Sequence, residues 1–112
     1  MSASTEEAFR RLTIGEPSFL DLLGDADGGG CAVRALDART EALLRVSALI
    51  AIDAPASSYR SVVEAAQRAG ARLDDLLAVL LVVAGTVGSA RVISAAPRIA
   101  LAAGYDVEAA LE

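Results

Sequence analysis

Apolar residues recur along this chain at the three- and four-residue spacing that is typical of helices. No segment alternates between apolar and polar positions for long enough to indicate a strand. The pattern therefore predicts an all-α protein. We expect helices at residues 5–12, 18–23, 37–52, 57–70, 73–84 and 89–103, and a last helical turn at residues 106–111.

Several of these boundaries are predicted from residues that cap or break helices. Asp37 is a suitable N-cap for the third helix, and Ser57 or Ser58 is suitable for the fourth. Gly70 is expected to end the fourth helix, because glycine adopts the left-handed conformation of a helix C-terminus without strain. Pro97 is expected to kink the last long helix or to start a new turn, because it removes a backbone hydrogen bond.

Two of the predicted helices lack a full polar face. Residues 42–52 are apolar apart from Arg45 and Ser47, so we expect this helix to be buried on several sides. Residues 76–83 carry no polar side chain, and the segment from Gly85 to Gly88 would loosen or kink that helix. The small residues at 85, 88, 89 and 90 would let another helix approach closely. A single chain would expose an apolar patch that soluble monomers rarely carry, so we predict a homo-oligomer.

The composition suits closely packed helices and argues against two classes of partner. Hydrophobic residues make up 54% of the 112 residues, and the mean hydropathy is +0.49. A net charge of −5 without a basic stripe argues against nucleic acid. The longest uncharged run, between Asp75 and Arg91, is shorter than the roughly 20 apolar residues of a bilayer span, so no membrane contact is expected. The polar, acidic start of the chain argues against a secretory signal, and we expect a cytoplasmic protein.

The residue inventory removes the commonest catalytic and metal-binding groups. Histidine is absent and all ten basic residues are arginines, so neither an imidazole nor a lysine amine is available. Cys31 is the only cysteine, which excludes an internal disulfide and a Cys-x-x-Cys pair, and we interpret it as an incidental thiol. The glycines at 28–30 lack the Gly-Lys-Ser/Thr of a phosphate-binding loop and predict a flexible loop. No cofactor and no metal are predicted.

Several short segments together share their order and spacing with one known family. They are Leu36-Asp37 with Thr40, residues 63–71 (Val-Glu-Ala-Ala to Ala-Gly-Ala), residues 74–76, the region of Gly85, and residues 95–106. They resemble the carboxymuconolactone decarboxylase family, which includes the alkylhydroperoxidase D-like proteins. The resemblance implies one helical domain over residues 1–112, with a family-like core at 36–112 after short helices and a glycine-rich loop at 1–35. It also implies assembly into trimers or hexamers, with the active site near a subunit contact.

The residues that perform the family's chemistry are replaced in this sequence. The alkylhydroperoxidase branch has two cysteines and a histidine at the positions of Pro55, Ser58 and Val62. The decarboxylase branch keeps the histidine, which is again Val62 here. A glutamate that family members carry on the preceding helix matches Ala42, with Glu41 beside it. The resemblance therefore implies a divergent branch without the thiol peroxidase or histidine-dependent machinery.

Five residues remain candidates for a site. Arg91 follows the long uncharged run, where a guanidinium can clamp a carboxylate or form an inter-subunit ion pair. Tyr59 and Ser58 lie where the family places its chemistry and are candidate ligand-binding residues, although they can also pack and cap. Glu41 and Glu64 are weak candidates for a catalytic acid or base. Glu41 can instead pair with the arginine four residues later on its helix.

Three functions are compatible with these observations. The first is a carboxymuconolactone decarboxylase-like homo-oligomeric protein that binds or scaffolds without catalysis. The second is a cofactor-free lyase or isomerase that acts on a small carboxylated or cyclic metabolite in an inter-subunit pocket. There Arg91 would hold the anion, and Glu41 or Glu64 would act as the acid or base. The third is a subunit of a mixed complex. The replaced catalytic residues favour the first function.

Overall fold

The computed structural model describes residues 3–20 and 36–105. The chain divides into two compact units, Met1–Leu36 and Asp37–Glu112, which are described separately below. Every regular element in the described residues is a helix, which confirms the all-α class. The helices are α1 (Ala3–Ile14), α2 (Pro17–Leu20), α3 (Ala38–Ala51), α4 (Ala56–Arg68), α5 (Leu73–Val87) and α6 (Ser89–Ala102).

The first unit contains α1 and α2. α1 extends beyond both predicted ends, and Gly15, with a φ of +68°, follows it. Glu7 on α1 accepts hydrogen bonds from Arg10 and Arg11, and these bonds lower the pKa of Glu7 to about 2. Pro17 occupies the first position of α2. The rest of the predicted helix at 18–23, the loop at 25–30, Cys31 and the last turn at 106–111 lie outside the described residues.

The second unit is a bundle formed by α3, α4, α5 and α6. α3 and α5 run parallel, and an ion pair of 2.6 Å joins Arg39 Nη2 to Asp75 Oδ1 at their first turns. α4 and α6 also run parallel, and Gln67 donates to the Ala103 carbonyl at their C-terminal ends, over 3.1 Å. α6 packs against all three other helices, whereas α4 and α5 do not pack against each other. α4 and α5 therefore occupy opposite corners of the bundle.

The core of this bundle is built from aliphatic side chains and one tyrosine. No polar or charged residue among those described is buried as a whole. Removal of apolar surface from water, worth about 25 cal/mol per Å², is therefore the main force that holds the helices together. The largest fully buried side chains are Val46, Ile50, Tyr59, Val63, Leu76 and Ile99.

α3 packs against the three other helices of the bundle and leaves one side exposed in the single chain. Its buried residues are Ala42, Val46 and Ile50, at the four-residue spacing of one helix face. Leu44 is exposed, as is Ile52 just beyond the helix. The prediction that this helix is buried on several sides is confirmed in part, because α4, α5 and α6 all pack against it and Leu43 and Leu49 also contact the core.

The predicted caps agree with the structure in two cases and disagree in a third. Asp37 is the N-cap of α3, and its carboxylate accepts from the Thr40 N–H at 2.8 Å, which confirms the prediction. Gly70 follows α4 with a φ of +99°, which is also as predicted. Neither Ser57 nor Ser58 caps α4, because the helix begins earlier, at Ala56, and leaves both serines inside its first turn.

α5 is longer than predicted, and α6 is continuous over nearly its whole predicted range. α5 continues through Gly85 to Val87, and the break comes at Gly88, whose φ is +92°. α6 contains Pro97 and continues past it to Ala102, so Pro97 does not start a new turn. Packing of α6 against the other three helices stabilises its helical conformation across the proline.

Acid is expected to weaken the junction of α3 and α5. Asp75 accepts from the Arg72 backbone N–H and from Arg39, and these hydrogen bonds lower the pKa of Asp75 in the folded chain. Its contribution to the free energy of unfolding is full above the unfolded pKa of about 3.9 and is lost as pH falls through the lower folded value. Urea denaturation between about pH 5 and pH 2 should therefore show a shallower loss of stability for Asp75→Asn than for the wild type.

The matched control is Asp74→Asn. Asp74 lies in the same first turn of α5 but makes no hydrogen bond to a described residue. This variant should keep the wild-type dependence of stability on pH. Parallel acid profiles for Asp75→Asn and the wild type would contradict the role assigned to Asp75.

Candidate functional site

Polar residues of α6 hold the turn between α3 and α4. Asp53 in this turn has a φ of +52°, the left-handed conformation that usually belongs to glycine after a helix. Its Oδ1 accepts from the Ser94 hydroxyl at 3.0 Å and from Arg98 Nη1 at 3.4 Å. The same Arg98 nitrogen donates to the Ala54 carbonyl at 2.7 Å. These bonds fix both the turn and the guanidinium of Arg98.

A groove of about 600 Å³ lies between α4 and the last turns of α6. Its charged lining consists of Arg60 and Glu64, one turn apart on α4, and Arg98 on α6. Arg60 and Glu64 are exposed, and neither forms an ion pair or side-chain hydrogen bond with a described residue. Two guanidinium groups and one carboxylate thus face the same space. The rest of the lining is small or apolar: Ala56, Ser57, Leu101, Ala102 and Gly104.

Tyr59 lies in the core of the bundle and carries a hydroxyl without a partner. Its side chain is fully buried, and the hydroxyl makes no hydrogen bond to a described residue. Burial raises the pKa of Tyr59 above its ordinary value. The positive charge of Arg98 opposes this rise, and the negative charge of Asp53 adds to it. The predicted ligand-binding residue Tyr59 is therefore a core residue in the single chain.

The other residues predicted for a site lie in separate places. Glu64 lines the groove between α4 and α6. Arg91 does not line it, and its guanidinium donates to the carbonyl of Ala51, at the C-terminal end of α3. Ser58 is half-buried in the first turn of α4, and Glu41 is half-buried in the first turn of α3. The structure does not bring Arg91, Glu41 and Glu64 together in that groove.

Sequence reasoning missed Arg60 and Arg98, the two arginines of the groove. A signal for Arg98 was present, because Arg91, Ser94 and Arg98 follow one another at three- and four-residue spacing. That spacing places all three on one face of a helix. The sequence offered no comparable signal for Arg60, since its meeting with Arg98 depends on how α4 packs against α6.

The outer face of α5 is a second candidate site. Leu77, Leu81 and Val82 on this face are 54%, 67% and 79% exposed. An apolar groove lies on each side, about 310 Å³ toward α3 and about 430 Å³ toward α6. Gly85 continues the face, and outside its own stretch of helix no described residue has an atom within 4 Å of the position that a Cβ would take there. At the opposite corner, α4 exposes polar residues instead: Ser57, Arg60, Ser61, Glu64 and Arg68.

No protein-family model matches this chain, and neither a curated protein nor a solved structure does. None of the described helices is both long and apolar enough to cross a membrane. In the described part of the chain, acidic, histidine and cysteine side chains do not group in threes that could hold a metal ion. The resemblance to the carboxymuconolactone decarboxylase family therefore rests on the residues quoted above.

Asp53→Ala is expected to destabilise the bundle more than Asp53→Gly. Both variants lose the hydrogen bonds from Ser94 and Arg98, but only glycine adopts the positive φ of this position without strain. We expect the free energy of unfolding of Asp53→Ala to be lower than that of Asp53→Gly by about 1 kcal/mol. Urea denaturation at neutral pH measures the difference, and equal stabilities would show that the left-handed turn is not retained in solution.

Tyr59→Phe is expected to stabilise the protein. The substitution removes a buried hydroxyl without a partner, and an unsatisfied buried polar group is unfavourable by about 1 kcal/mol or more. Tyr105→Phe is the control, because Tyr105 is exposed and its substitution should leave the denaturation midpoint unchanged. A less stable Tyr59→Phe would mean that the hydroxyl has a hydrogen-bond partner in solution.

Proposed function

We propose that this chain assembles with copies of itself through the outer face of α5 and acts as a binding or scaffold protein without catalytic activity. The observation that carries this proposal is that the helix with the most polar outer surface and the helix with the most apolar one lie at opposite corners of the bundle. α4 presents a polar surface, and α5, at the opposite corner, presents Leu77, Leu81 and Val82. A continuous exposed apolar face of this kind is typical of a protein interface.

The shape of the α5 face suits a second α5 helix. Leu77 and Leu81 project as a ridge, while Ala78 and Gly85 beside them leave space for the ridge of a partner. A contact of this kind is self-complementary, as a two-fold symmetric interface requires. Gly85 supports the same argument, because glycine inside a helix is unfavourable by about 1 kcal/mol relative to alanine. Nothing in the described chain uses the space at Gly85, and a closely packed second helix would.

Burial of this face would supply a substantial part of the free energy of association. A Leu or Val side chain gains about 2 kcal/mol when it is moved fully out of water. The exposed parts of Leu77, Leu81 and Val82 therefore represent roughly 4 kcal/mol per copy, or about 8 kcal/mol for a symmetric pair. A second copy that also covered the two apolar grooves beside α5 would gain further free energy of association.

The absence of catalysis is inferred from the start of α4. Pro55 is the N-cap of this helix, Ser58 lies in its first turn, and Val62 packs against the core one turn later. These positions correspond to the two cysteines and the histidine of the alkylhydroperoxidase branch, and we propose that this chain is a divergent relative of the carboxymuconolactone decarboxylase family. A proline, a serine and a valine supply neither a thiolate nor a proton-transfer group.

Leu81→Glu is expected to break the assembly. A charge at the centre of the α5 face would have to be buried without a partner, and this strongly disfavours association. We expect the wild type to sediment as a multiple of the 11.4 kDa chain and Leu81→Glu to sediment as a monomer. Analytical ultracentrifugation gives the masses, and far-UV circular dichroism checks that the helices remain.

Ser61→Glu is the control for the charge itself. Ser61 is exposed on the outer face of α4, so a glutamate there should leave the oligomeric mass unchanged. An oligomer that persists in Leu81→Glu would show that the interface is not formed by the outer face of α5. A wild type that is soluble only with a different protein bound to it would favour the mixed complex instead.

A further inference from the structure

The groove between α4 and α6 combines charges that are not neutralised within the chain. Arg60 and Glu64 lie one turn apart, close enough to pair on a helix surface, yet they form no ion pair with each other. Arg98 approaches from the other side of the groove. The three groups together carry one net positive charge. A ligand with charges of both signs could therefore pair with all of them, whereas a simple anion would leave the carboxylate of Glu64 unpaired.

Arg98 has the most defined position of these three groups. Its Nη1 donates to the Ala54 carbonyl and to Asp53, which fixes the guanidinium against the turn. Its Nε and Nη2 groups donate to no described residue. These two nitrogens form one edge of the planar guanidinium, and such an edge binds a carboxylate through two parallel hydrogen bonds. Because the guanidinium is already held in place, little further conformational entropy is lost on binding.

The uncharged lining of the groove indicates the rest of the ligand, and the volume leaves room for it. A volume of about 600 Å³ lies within the range of small-molecule sites. Leu101 and Ala102 provide apolar surface beside the charged groups, and the Leu101 side chain is largely exposed in the single chain. A short aliphatic side chain on the ligand would cover this surface.

We infer that this groove binds a free amino acid with an aliphatic side chain. The ligand carboxylate pairs with Arg98 and Arg60, the ammonium pairs with Glu64, and the side chain packs on Leu101 and Ala102. A dicarboxylate or a phosphate would be repelled by Glu64, and an amine without a carboxylate would be repelled by the two arginines. This binding activity is separate from the assembly through α5, because α4 and α5 lie at opposite corners of the bundle.

Isothermal titration calorimetry of the full chain with three matched probes tests this inference. The probes are L-leucine, 4-methylpentanoate, which lacks the amine, and 3-methylbutylamine, which lacks the carboxylate. We expect L-leucine to bind at least roughly tenfold more tightly than either of the others, because each of them loses one charged contact. No heat of binding with L-leucine up to about 10 mM would overturn the inference. Tighter binding of 4-methylpentanoate would overturn the amino acid class and favour a simple carboxylate.

Two substitutions at exposed positions assign the contacts without disturbing the turn. Glu64→Gln should lower the affinity for L-leucine to that for 4-methylpentanoate. The affinity for 4-methylpentanoate itself should not fall. Arg60→Gln should lower the affinity for both probes that carry a carboxylate, L-leucine and 4-methylpentanoate, by several-fold. Arg68→Lys, at the exposed end of α4 and outside the groove, should change none of the affinities. An unchanged affinity of L-leucine for Glu64→Gln would contradict the proposed ammonium contact.

Discussion

The packing of α6 against the other three helices is the interaction on which the rest of the bundle depends. Ala95 and Ile99 place α6 in the core, and Ser94 and Arg98 hold the turn between α3 and α4. Because both α6 and α3 pack between α4 and α5, those two helices do not meet. The most polar surface of the bundle therefore cannot cover the most apolar one. The exposed face of α5 follows directly from this arrangement.

The same arrangement separates two surfaces of different chemistry. On one side, α4 and α6 enclose a groove in which Arg60, Glu64 and Arg98 meet. On the other side, α5 exposes Leu77, Leu81 and Val82 between two apolar grooves. The proposed assembly uses the outer face of α5, and the proposed ligand groove lies between α4 and α6.

Local sequence signals predicted the positions of the helices well, but they predicted only some of the helix ends correctly. Asp37 and Gly70 were predicted correctly, because a carboxylate cap and a left-handed glycine act within a few residues. α5 continues through Gly85 and α6 continues through Pro97, because tertiary packing can outweigh a local helix-breaking tendency. The left-handed conformation of Asp53 was not predicted, since contacts with α6, about 40 residues away in the sequence, stabilise it.

The residues of the candidate groove were harder to predict from the sequence than the fold was. Glu64 was named from its helix, but its neighbour Arg98 was not, and Arg91 was preferred because it follows a long uncharged run. Only the parallel packing of α4 and α6 decides which arginine reaches the groove. The replaced residues Pro55, Ser58 and Val62 were visible from the sequence, since they depend on identity at three positions and not on geometry.

Sedimentation equilibrium of the wild-type chain over a wide range of concentrations tests the central claim most directly. The account predicts a mass that is a multiple of 11.4 kDa at micromolar concentrations and above, because the α5 face is then covered by a second copy. A mass of 11.4 kDa at every concentration would contradict it. The apolar face would then be a stable exposed surface of a monomer, and the proposed assembly through α5 would be wrong.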